Sequence, residues 1–135
     1  MLGINNDKLR PCPGTPNCVS SMTTDEKHFI EPILIPASSG DTRDIILKVL
    51  EEFSRVKVTE TQANYIHAEF TSLIFRFVDD VEFYFPKSES GVVRVDIRSA
   101  SRVGRSDLGV NRKRMEAIRE KIGEVDLKGD LKGSK

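Results

Sequence analysis

The sequence has no excess of charge of either sign: 21 Lys and Arg stand against 21 Asp and Glu, a formal net charge of zero. A chain without a basic field is a poor general partner for nucleic acid and is not drawn as a whole to an anionic membrane. It also lacks any apolar stretch long enough for a transmembrane segment, and residues 1–10 hold no signal-peptide core. The expectation is a soluble chain, cytoplasmic as given, and exported or membrane-tethered where a leader has been removed. Histidine and cysteine are scarce, two of each. There is no HExxH pair, nucleophile elbow, phosphate-cradling glycine loop or dinucleotide fingerprint. No cofactor and no metal site follow from these residues.

What is present is the patterning of one α+β domain. A length of 135 residues fits a single core. Residues 1–27 are rich in Pro, Asn, Ser, Thr and Gly without an apolar period, which predicts an arm carrying Cys12 and Cys18 rather than an element. The domain proper is expected over residues 28–125, and 126–135 reads as a polar, frayed tail. Residues 28–36 predict an edge strand interrupted by Pro32. A helix follows, capped by Asp41 or Thr42, with Ile45, Ile46, Val49, Leu50 and Phe53 as its apolar stripe.

Four strands come next, over residues 55–60, 65–70, 73–85 and 92–99, each with a period of two. On the long third strand Leu73, Phe75, Phe77, Val81, Phe83 and Phe85 share one face; on the fourth, Val93, Val95 and Ile97 do. The last helix is expected from Asp107 as N-cap to a stop at Gly123, with Met115, Ile118 and Ile122 inward. The predicted order is strand, helix, four strands, helix. Both helices need an apolar surface, so they are expected on one face of an antiparallel sheet, leaving the other face open.

That open face is expected to be charged. Arg76, Asp80 and Glu82 on one strand, Arg94, Asp96 and Arg98 on the next, and His67 and Glu69 on the other neighbour all point to it. A solvated array of ion pairs is one reading, and a polar binding surface or cleft wall is the other. Asp79 breaks the pattern: strict alternation from Phe77 to Val81 sends its carboxylate inward. An unpaired charge there is costly, so a bulge must turn it out or an arginine or backbone donors must meet it. The loop Ser99, Ser101, Arg102, Arg105, Ser106, Asp107, followed by Asn111 and Arg112, brings hydroxyls and arginines to a helix N-terminus. It reads as an anion site or as a structural cap closed by Asp107.

Cys12 and Cys18, with Pro13, Gly14 and Pro16 between them, can form a disulfide, stay as thiols, or act as a redox pair of unusual spacing.

Three stretches carry a family resemblance: residues 16–21 (PNCVSS), 75–83 (FRFVDDVEF) and 98–112 (RSASRVGRSDLGVNR). They resemble a family of bacterial and plastid proteins catalogued only as a domain of unknown function. The likeness implies no catalytic role. Its signature coincides with Arg76, Asp79, Asp80, Glu82, Arg98, Ser99, Ser101, Arg102, Ser106, Asp107, Asn111 and Arg112. Three functions stay open on these residues. The leading one is a binding module for a small polar or anionic molecule at the junction of the last strand and last helix. A small acid–base hydrolase or isomerase using Asp79, Asp80 or Glu82 is the second. The third is an interaction module, homo-oligomeric or not, using the open sheet face. A hydrophobic groove between helix and sheet would add a lipid to these.

Overall fold

The structure, a computed structural model, describes residues 2–14, 17–74, 76–87, 91–102 and 109–127, with side chains in the last segment to Val125. Phe75, Val103 to Leu108, and the tail from residue 128 lie outside the described residues, and so do the expected N-cap Asp107 and the candidates Arg105 and Ser106.

Ten elements follow in order: β1 (Ile4–Asn5), β2 (Lys8–Leu9), β3 (Cys18–Ser20), β4 (Ile33–Ile35), α1 (Ser39–Leu50), β5 (Val56–Thr61), β6 (Tyr65–Thr71), β7 (Val78–Tyr84), β8 (Val93–Ser101) and α2 (Val110–Leu127). The main sheet is antiparallel in the order β3-β8-β7-β6-β5, and β4 also pairs with β8. The chain is thus an α+β domain with the predicted meander.

β3 and β4 run end to end along one margin of β8. Ser20 stands opposite Arg98 and Ile33 opposite Val95, with residues 21–32 looping out between them. This corrects two expectations. Residues 18–20 of the presumed arm are a strand, and the predicted strand over 28–36 shrinks to three residues once Pro32 has removed a donor.

The core lies where alternation places it. Ile66, Ala68 and Phe70 of β6, Val81 and Phe83 of β7, and Val93, Val95 and Ile97 of β8 pack with Ile46 and Val49 of α1 and Met115, Ile118 and Ile122 of α2. Both helices therefore share one face of the sheet. Ser38 caps α1, its hydroxyl accepting from the Asp41 amide at 3.2 Å, three residues ahead of the expected cap. Asp41 instead sits in the first turn, where a carboxylate favours the helix dipole. α2 runs through Gly123 rather than stopping there; the cost of about 1 kcal/mol for a helical glycine is offset by burying Val125 beyond it.

The predicted third strand starts late. Leu73, Ile74 and Phe77 stand exposed in a loop, although Leu73 and Phe77 keep the parity of a strand. That loop is closed by Ser72 N–H to Phe77 O and by Phe77 N–H to the Ser72 hydroxyl, both at 2.9 Å. Arg76 adopts a left-handed backbone conformation there (φ 58°), which ends the extended run before β7.

The second face is not open. A hairpin of β1 and β2, turned by Asn6 and Asp7 in left-handed conformations, crosses it and buries Leu9. The Gly3 amide donates to Glu82 at 2.8 Å, and Arg98 donates to the Pro11 carbonyl at 3.3 Å. A disulfide between Cys12 and Cys18 ties this roof to β3. The expected solvated face is a covered one.

Candidate functional site

Asp79 and Asp80 sit at the end of β7, opposite Ser101 and Ala100. No bulge turns Asp79 out. Its carboxylate points to the helix face, as alternation requires, and meets Arg114 of α2 at 2.7 Å. Arg114 also donates to Asn111 Oδ1 at 2.8 Å and Ser99 Oγ at 3.2 Å, and its guanidinium stacks 5.0 Å above the Phe70 ring. Asn111 donates to Ser101 Oγ and to the Asn17 carbonyl, at 3.0 and 3.1 Å. Ser99, Ser101, Asn111 and Asp79 thus form one buried network. Sequence reasoning missed Arg114 and Asn17 as its members. The signal for Arg114 was available: an inward carboxylate needs a cation, and position 114 shares a helix face with Asn111 three residues earlier.

Asp80 faces the other way. It accepts from His67 Nε2 at 2.7 Å and from Arg102 Nε and Nη2, both at 2.9 Å. Arg102 reaches Glu69 as well, at 2.8 Å, and His67 Nδ1 meets the Thr59 hydroxyl. Burial pushes the Asp80 carboxyl up, but hydrogen bonds from Arg102 and His67 outweigh it and hold the group below its ordinary value. The same bonds to Asp80 and Glu69 raise the Arg102 guanidinium further into its charged form.

Deeper under the roof, Glu82 is fully buried. It accepts from the Tyr65 hydroxyl at 2.5 Å and the Gly3 amide at 2.8 Å, and lies 3.4 Å from Arg98. Burial first, and then the bond to Glu82, push the Tyr65 hydroxyl well above the ordinary tyrosine range. Asp96 is held by Ser21 at 2.8 Å and Arg94 at 3.1 Å.

The candidate residues are therefore divided between two faces. Arg98, Arg102, Asp80 and Glu82 lie on the roofed side, and Asp79, Ser99, Ser101 and Asn111 on the helix side. Arg112 is drawn off to the loop between β3 and β4, donating to the Phe29 carbonyl at 2.7 Å. Arg76 is exposed in the loop before β7. Among the described residues, no group of three or more His, Cys, Asp or Glu is placed to hold a metal ion.

A concave feature occurs beside the Asp79 and Arg114 pair. A cleft of about 510 Å³ opens between the end of α1, the end of β6 and the first turns of α2. Phe53, Phe70, Leu73 and Val110 give it an apolar floor, and Phe53 packs edge-on to Phe70 at 5.9 Å. Arg55, Lys113 and Arg114 supply its charged lining, which includes no carboxylate among the described residues. Arg55 is held by its own Nε–H to the Thr71 carbonyl, at 3.1 Å, in a left-handed backbone conformation (φ 59°). Arg114 is neutralised by Asp79. Among the described residues no carboxylate pairs with Lys113 or Arg55.

A family model described as "Protein of unknown function (DUF1499)" matches residues 8–122. Among curated proteins none matches. A solved structure, that of TTHA0849 from Thermus thermophilus, is similar at 13% identity over 84% of this chain and 94% of its own, with a TM-score of 0.34, a level that carries no argument. No described helix is long and apolar enough to cross a membrane. The match to the family model spans most of the chain: the protein belongs to that family of unknown function.

Proposed function

We propose that this member of a family of unknown function is a binding module for a small amphiphile that joins an apolar body to an anionic head, taken in the cleft between the ends of α1 and β6 and the start of α2. The observation that carries this is the cleft's composition: two phenylalanines, a leucine and a valine below, and cations without a lining carboxylate above. Ligand sites are mostly apolar concavities with a few placed polar groups, which this cleft matches in size and lining. A carboxylate or phosphate head would pair with Lys113 and Arg55, and the apolar body would lie on Phe53 and Phe70. Catalysis is the weaker reading, because Asp79, Asp80 and Glu82 are each occupied by a cation or a hydrogen-bonded partner.

The test is titration with dodecanoate and with dodecanol, read by calorimetry. Dodecanoate is expected to bind, dodecanol about tenfold more weakly, and Lys113→Glu to weaken dodecanoate by about tenfold, the size of one charge-assisted contact. Equal affinity for the acid and the alcohol, or no effect of Lys113→Glu, would overturn the assignment.

A further inference from the structure

The loop beside the cleft carries the most exposed apolar side chains of the described residues. Leu73 is 64% exposed, Ile74 78% and Phe77 45%. They are not the consequence of a frayed segment, since Ser72 and Phe77 close the loop through two backbone-donated hydrogen bonds. Arg76 lies in the same tip, and Arg55 is anchored to Thr71 at its base. Lys113 and Val110 line the cleft together with Leu73. The tip is thus an apolar point with a collar of cations.

We infer that this tip docks on the surface of a bilayer containing anionic phospholipid, with Leu73 and Ile74 entering the acyl boundary and Arg55, Arg76 and Lys113 at the headgroups. Two features select a bilayer over a protein partner. The apolar residues project from a turn rather than forming the broad, flat patch of a stable protein interface. Cations ringing an apolar point match a surface that is anionic outside and hydrocarbon beneath. The zero net charge is no obstacle, because the attraction is local and acts within about a Debye length. Leu73 belongs to both the tip and the cleft lining, so a docked molecule presents the cleft to the membrane. That last step, supply of the amphiphile from the bilayer, rests on the binding function proposed above; the docking does not.

The experiment is co-sedimentation of the full chain with vesicles of phosphatidylcholine alone and of equal parts phosphatidylcholine and phosphatidylglycerol. The expected result is binding to the mixed vesicles, about tenfold weaker to the neutral ones, and loosened by salt. Ile74→Asp, at an exposed position outside the cleft, should retain the fold by circular dichroism and lose vesicle binding by about tenfold or more. Its affinity for dodecanoate in free solution should be unchanged. If vesicles bind but dodecanoate does not, docking stands and the cleft assignment falls. Docking is overturned if neither vesicle binds, or if Ile74→Asp binds as the parent does. It is equally overturned if the parent self-associates through this tip, and Ile74→Asp abolishes that association without any vesicle binding having been seen.

Discussion

Asp79 and Asp80, adjacent in the chain, send their carboxylates to opposite faces of the sheet. One meets Arg114 of α2 at 2.7 Å, the other Arg102 at the end of β8 at 2.9 Å. A strand makes this arrangement unavoidable, since successive side chains alternate. The pair of acids clamps the end of β7 from above and below, to the helix on one side and to the last strand on the other.

Removing Arg114 should be costly. Arg114→Met leaves the Asp79 carboxylate largely buried without its cation, and the expected loss is about 3 kcal/mol in urea denaturation. Adding Asp79→Asn should restore most of it, because the uncompensated charge goes. A single substitution no worse than the double would contradict the buried-pair account.

Asp80 gives a pH signature. Its carboxyl titrates below the ordinary aspartate value of 3.8, so the unfolded chain takes up the proton more readily than the folded one. Its stabilisation is therefore complete above that value and is lost as pH falls through the lower, folded value. Asp80→Asn should cost about 2 kcal/mol near neutral pH. The difference between variant and parent should close below pH 3.8, measured as urea midpoints across the acid range.

Glu82 is the acceptor on which the roof converges. Glu82→Ala strips a partner from Tyr65, Arg98 and the Gly3 amide together, with an expected loss of about 4 kcal/mol. Glu82→Gln should cost less, since its carbonyl still accepts. Chemical denaturation of the two variants separates a structural acceptor from a dispensable one.

The disulfide should matter most for the roof. Replacing Cys12 and Cys18 by alanine opens a short loop, for which the chain-entropy estimate is about 2 kcal/mol. Amide exchange should quicken at Gly3 while the central amides of Val81 and Phe83 keep their protection. Unchanged exchange at Gly3 would mean that Glu82 and Pro11 hold the hairpin without the bridge.

Much of the fold was legible because the sheet and helices follow their periods closely. The inward run of Val93, Val95 and Ile97 fixes β8, and the same parity correctly turned Asp79 toward the helices. The roof was not legible. Residues 3–11 have no apolar period, and their attachment depends on a backbone amide and a disulfide that no local pattern announces. The hairpin tip deceived for the opposite reason: Leu73 and Phe77 keep the strand's alternation, yet the left-handed Arg76 takes them out of it. The cleft is assembled from residues near positions 54, 72 and 113, too far apart in sequence for any local signal to join them. Of the candidate residues, charge and hydroxyl content marked the ones that matter to packing, while Lys113 and Arg55 passed unremarked as ordinary surface cations.

The division of one sheet margin between β3 and β4 has a consequence for self-assembly. A long, regular edge strand offers a row of free amides and carbonyls on which a second molecule can grow. Here that margin is broken into two three-residue pieces by the excursion of residues 21–32. The opposite margin, β5, shifts register between Val58 and Glu60 and exposes Lys57, Thr59 and Glu60. Neither border presents an uninterrupted template, so the domain can keep its six-stranded sheet at high concentration without seeding fibres along its sides.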